Sequence, residues 1–203
     1  MSFLPVDIQG LVVGWLGARE QCVLIRKCEW DIRCLVPHTK YVEENLGMYT
    51  TKMVGWVLKN MKVDPGAGNN AALWWALENN HVSKIKMLLA DPRVDPGAQE
   101  NGALCFASIH GCTEVVGVLL ADPRVDPSAQ QNAAVWLASK NGHFHVVKLL
   151  LADSRVDPGA NKNIAYRESC TTYPRVGVLL KTHPRVIEEA ERDNAWRRYR
   201  YWR

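Results

Sequence analysis

The tripeptide Val-Asp-Pro begins at Val63, Val94, Val125 and Val156, so one unit recurs every 31 residues through more than half of this 203-residue chain. A unit of that length cannot bury its own apolar face, and successive copies must stack to share a core. The surrounding residues return in phase. Asn70, Asn101, Asn132 and Asn163 share one position and Ala76, Ala107 and Ala138 another. The pairs Leu88-Leu89, Leu119-Leu120, Leu149-Leu150 and Leu179-Leu180 recur to within a residue.

Each copy holds two short helical patterns around a turn, as in Ala133 to Lys140, Asn141-Gly142, then His143 to Ala152. Asn132 stands at an N-cap position, where its side-chain carbonyl could accept a free N–H of the first turn. Ala138 is small where a neighbouring helix must come close. In the second helix Val146, Val147, Leu149 and Leu150 give an apolar face wide enough to meet both the partner helix and the next copy. The following Asp-Pro-Arg-Val-Asp-Pro type of link carries two prolines, which disfavour helix and imply an extended crossing. The expected fold is mainly α, a helical solenoid of about four to five repeats.

The unit resembles the ankyrin repeat through Ala138, Gly142-His143, Val146-Val147 and Leu149-Leu150, and the resemblance runs from Thr50 to about Arg185. The 31-residue period is shorter than the family's usual ~33. Where that family has Thr-Pro-Leu-His, this chain has Ala71-Ala72-Leu73-Trp74, Gly102-Ala103-Leu104-Cys105 and Ala133-Ala134-Val135-Trp136, which argues against a regular β-hairpin finger. The Asp-Pro-Arg-Val-Asp-Pro variant looks like ankyrin arrays encoded by large DNA viruses of amoebae. Thr51 to Met61 overlays the second helix of a later copy, without a clear first helix before it. In the last copy Arg167 and Glu168 replace apolar residues, as a polar end unit should.

Residues 1–36 form a separate helical pattern, with Ile8, Leu11, Val12, Trp15 and Leu16 at spacings of three and four. The Leu4-Pro5-Val6-Asp7-Ile8 opening, Trp15-Leu16 and Cys28-Glu29-Trp30 resemble an F-box. By that resemblance Leu4, Pro5, Ile8 and Val12 would lie against the linker subunit of a cullin-type ubiquitin ligase. The other reading is a helix pair that seals the first repeat. Residues 37–185 are assigned to the solenoid. Residues 186–203, acids before bases, read as a capping helix that suits the helix dipole; the four arginines and four aromatics of residues 196–203 make nucleic-acid or membrane contact a lesser alternative.

The chain has 25 Lys and Arg against 21 Asp and Glu, and Arg197, Arg198, Arg200 and Arg203 account for the excess. That balance disfavours binding to a polyanion over the whole surface. The six cysteines contain no C-x-x-C pair, so reduced thiols in a cytosolic compartment are expected, the host cytosol if the chain is viral. Asp7 and the absence of a basic start argue against a secretory signal.

His81, Cys112 and His143 share one repeat phase. Neighbouring helices lie about 8–10 Å apart, too far for equivalent positions to share a metal at about 2 Å. A turn histidine bonded to local backbone is the expected role. No nucleophile has a base at a recognisable spacing, and neither an enzyme activity, a cofactor, a metal nor a small-molecule substrate is expected. Arg93, Arg124 and Arg155 are each followed two residues later by Asp95, Asp126 and Asp157, and alternation along an extended segment would pair them.

Positions that vary between copies point to recognition, because positions that repeat serve packing. Trp75, Phe106 and Leu137 precede the shared alanine, and Glu78, Ile109 and Lys140 follow it. By the resemblance these six lie toward the concave face, where that family grips proteins. Trp75 and Phe106 could instead fill space between helices. The expected function is a non-catalytic protein-interaction module, either an adaptor joining a target to the ligase or a stand-alone scaffold.

Overall fold

The computed structural model describes Glu43, residues 46–60 and residues 63–187. The F-box-like segment and the basic aromatic tail lie outside these residues. The chain falls into two compact units, divided between Val94 and Asp95.

In the first unit a 3-10 turn, Leu46–Met48, precedes three helices: α1 (Thr51–Asn60), α2 (Ala67–Glu78) and α3 (Val82–Leu89). The α1 helix packs on α3, and the 3-10 turn packs on α2. Thus α1 is a second helix of a repeat, as its sequence implies, and the short turn stands where a first helix would be. Val54 and Val57 of α1, Leu73 and Ala76 of α2 and Ile85 and Leu88 of α3 are all at most 2% exposed. Each fully buried Val, Ile or Leu contributes about 1.5–3 kcal/mol.

The second unit has three helical hairpins: α4 (Ala98–Ile109) with α5 (Thr113–Leu120), α6 (Ala129–Lys140) with α7 (Phe144–Leu151), and α8 (Ala160–Thr172) with α9 (Pro174–Lys181). First helices pack on first helices, α4 on α6 and α6 on α8, while α5, α7 and α9 form a second layer. The small Ala107, Ala138 and Ala165 are buried between them, as are Val115, Val116, Leu119, Val146, Val147, Leu150, Val176 and Leu180. Of the apolar face predicted for the second helix, Val146, Val147 and Leu150 are buried and Leu149 is half-buried.

The links differ from the extended crossing expected from their prolines. The N–H of Val125 donates to the carbonyl of Asp122, and that of Ala129 to Asp126, so the link is a pair of consecutive turns. Each Val-Asp-Pro aspartate closes its turn with its side chain: Asp64 and Asp95 accept from the N–H of Gly66 and Gly97, Asp126 from Ser128 and Asp157 from Gly159. The prolines Pro65, Pro96, Pro127 and Pro158 are buried. Their fixed φ and missing donor suit the turn better than a strand.

Three successive residues then turn left-handed in every copy: 68–70, 99–101, 130–132 and 161–163, with φ between 51° and 62°. Right-handed helix begins only after the asparagine that the copies share. A non-glycine residue in this region costs roughly 1–2 kcal/mol, least for Asn. No strand occurs among the described residues, so this left-handed turn occupies the place of a β-hairpin finger.

The asparagine at the end of that turn does not cap its own helix. Asn132 Oδ1 accepts the N–H of Asp157, 2.6 Å away in the next link, and Asn101 Oδ1 accepts that of Asp126 at 2.8 Å. The positive φ aims the buried amide across to the following copy. At the end of the array the pattern changes, because Ile187 N–H donates to His183 O; Asn163 there donates through Nδ2 to Val186 O instead.

The link arginines also differ from expectation. Arg93, Arg124 and Arg155 grip the aspartate two residues before them, Asp91, Asp122 and Asp153, at 2.6–2.7 Å, rather than the one after. The turn folds each guanidinium back, and a second N–H reaches a backbone carbonyl of the preceding copy: Arg93 to Val63 at 2.7 Å, Arg155 to Val125 at 2.8 Å. Arg185 reaches Val156 in the same way at 2.9 Å, but its neighbour two residues back is His183.

These contacts make two predictions. Replacing Asn132 by Ala removes the acceptor for Asp157 and leaves a Cβ residue at positive φ, which should destabilise the chain by about 2–4 kcal/mol in urea unfolding. Asn132→Gly keeps the conformation and should cost about 1–2 kcal/mol; equal losses would refute the conformational part.

The second concerns acid. The Arg guanidinium bonded to each of Asp91, Asp122 and Asp153 holds its carboxyl below the usual range. Their folded pKa is depressed, so their stability is present above about pH 4 and lost as pH falls through the lowered values. Burial and Arg185 push His183 down as well, so its contribution is present above about pH 6.5 and fades below that. Melting temperature against pH should therefore fall in two windows, and His183→Gln should remove the upper one alone.

Candidate protein-interaction face

Within each unit the first helices carry half-buried and exposed positions beside their packed alanines. In the first unit Trp75 of α2 is half-buried and Glu78, at the last turn, is exposed. The Trp75 ring lies 5.4 Å from the His81 ring, and the buried Lys84 ammonium sits 4.2 Å from its centroid. Lys84 also donates to the Gly47 carbonyl at 2.7 Å. A Cβ at Gly47 would come within 2.6 Å of Trp75 Cβ. Trp75 thus fills space against the 3-10 turn while keeping part of its ring exposed.

In the second unit Phe106 of α4 is half-buried, its ring 4.4 Å from that of His110. Ile109, one turn on, is 38% exposed. Leu137 and Lys140 follow at the equivalent places on α6, the first half-buried and the second exposed. The α4–α6 packing therefore brings Phe106, Ile109, Leu137 and Lys140 to one side of the layer.

Two further residues belong to this side. Trp136 Nε1 donates to Glu168 Oε2 of α8 at 2.9 Å, and the Lys140 ammonium stands 5.2 Å from the Trp136 centroid. One indole edge is fixed by a carboxylate and one face by a cation. The four-residue step from Trp136 to Lys140 is visible in sequence. The bond to Glu168, 32 residues away, needs the stacking register.

The turn row has a structural part in holding this side. His81, Cys112 and His143 each precede a second helix. His143 Nε2 donates to the Ile109 carbonyl at 2.7 Å, a residue of the preceding hairpin rather than the local backbone expected. Its ring lies against Gly111, where a Cβ would meet Nδ1 at 2.5 Å; Gly111 also has φ 68°, so glycine is required twice over.

Among the described residues no three His, Cys, Asp or Glu side chains converge as metal ligands. Burial pushes the thiols of Cys105, Cys112 and Cys170 up, which keeps them protonated and poorly nucleophilic at neutral pH. No described helix is long and apolar enough to cross a membrane.

No curated protein matches the chain, and no solved structure does. A family profile does match, from α2 to α8: residues 73–165 match the profile of ankyrin repeats, in three copies.

Proposed function

We propose that the protein is a non-catalytic interaction module that holds a protein partner on the exposed side of its first helices. Ankyrin repeats generally bind protein partners, and the observation that carries the reading is the row Phe106, Ile109, Leu137 and Lys140 beside the fixed Trp136. Aromatic and aliphatic anchors with a charged border suit a binding hot spot. Trp75 and Glu78 offer a similar pair on the first unit. Binding here needs no cofactor, metal or small-molecule substrate.

Partner capture from the native cell, followed by affinity measurement with the purified partner, tests this. Ile109→Asp and Leu137→Asp should each weaken binding tenfold or more, while Glu114→Gln on the other layer leaves it unchanged. A partner indifferent to both aspartates would refute the assignment.

A finer reading makes the module an adaptor that joins its target to a cullin-type ubiquitin ligase. What supports it is the F-box-like sequence around Leu4, Pro5, Ile8 and Val12; the alternative is a scaffold with no ligase link. Pull-down with the ligase's linker subunit separates them. The adaptor predicts binding that Leu4→Asp and Ile8→Asp abolish, and the scaffold predicts none. The sequence likeness to viral arrays would place that ligase in a host cytosol.

A further inference from the structure

The opposite layer of the second unit has an unusual distribution of charge. Helices α7 and α9 carry His145, Lys148, Arg175 and Lys181 and contain no Asp or Glu. All four side chains are exposed. The two helices pack side by side, with His145 and Arg175 at one level of the repeat and Lys148 and Val178 at the next. Val178 is 64% exposed, and Arg175 and Lys181 lie three residues to either side of it. Glu114, at the equivalent place on α5, closes the patch on that side.

We propose that this face is a second docking surface, distinct from the first-helix row, and that it takes an acidic amphipathic helix of a protein partner. Charge complementarity selects the occupant. Helices about 8–10 Å apart leave a groove in which a third helix can lie, with an apolar side chain on Val178. Carboxylates one turn apart on its flanks then meet Arg175 on one side and Lys148 and His145 on the other. A nucleic acid fits less well. The aromatic ring on these two helices, Phe144, has the Arg175 guanidinium 5.2 Å from its centroid, so bases lack an open platform for stacking. A membrane surface would require several exposed apolar groups beside the cations, and Val178 is the large exposed one on α7 and α9.

The test is fluorescence anisotropy on the full chain with a fluorescein-labelled peptide whose glutamates and leucines alternate in a helical pattern. Saturable, salt-sensitive binding is expected. Lys148→Glu with Arg175→Glu should weaken it at least tenfold, Val178→Asp should weaken it severalfold, and a lysine–leucine probe should bind the doubly reversed variant instead. Leu137→Asp should leave it unchanged, which separates failure here from failure of the first-helix row. All the substituted outer-layer positions are exposed, and melting curves check that the variants fold. The proposal is overturned by no saturable binding, by binding indifferent to the charge reversal, or by tighter binding of single-stranded RNA or of anionic lipid vesicles to the same residues. Binding that emerges only after removal of residues 188–203, whose acidic start would then be the natural occupant, also overturns it.

Discussion

The buried amide at the end of each left-handed turn is the contact on which the rest depends. A helical hairpin of this length has too little core to stand alone, so its position is set by its neighbours. Asn101 and Asn132 set that position directly, because each accepts a backbone N–H from the next link. The arginines act in the reverse direction, from Arg93, Arg155 and Arg185 to carbonyls of the preceding link. One contact looks forward and the other back. Together they fix the register with which the alanines and leucines meet, and burial then supplies most of the stabilisation.

The aspartate beside each arginine has a positioning part. Exposed ion pairs contribute little on their own. Asp91 and Asp153, however, hold two N–H groups of a planar fork, which leaves another aimed along the array. The side chain is oriented before the inter-repeat bond forms, so less rotamer entropy is lost when it does. At the last link His183 replaces the aspartate and its buried Nδ1 has no hydrogen-bond partner among the described residues, while Arg185 donates to the backbone carbonyls of Val156 and Ser154.

Much of the fold is legible in the sequence because its period and its apolar spacing are both simple. The hairpins, the half-repeat at α1 and the buried faces of α3, α5 and α7 follow from Val, Ile and Leu spacing. What spacing does not carry is the hand of the backbone. Three consecutive residues at positive φ, including Gln130, Gln131 and Lys162, contradict the ordinary preference of those residue types. Once Asn132 sits at φ 62°, its side chain points away from the helix it would otherwise cap. The arginine pairing departs from expectation for the same reason: alternation on a strand puts i−2 and i+2 alike on one side, whereas the turn brings each arginine to the aspartate at i−2. The first-helix row could be named from its phase, but the bond that fixes Trp136 joins Glu168 across two copies and has no local signature.

Repetition also explains why surface chemistry varies at the positions that depart from it. The shared residues are consumed by the inter-repeat contacts, so Asn132 or Ala138 cannot change without loosening the stack. The exposed places on both layers are free of that demand. On the first helices the equivalent of Leu137 is Phe106 in one copy and Glu168 in another; on the second helices the equivalent of Lys148 is Gly117 or Val178. Each layer therefore presents a surface whose chemistry varies over a fixed frame, and the two layers vary independently. The frame leaves the first-helix row mostly apolar around a held indole while the far layer gathers cations, a separation that one helical hairpin can produce only because its two helices face opposite ways.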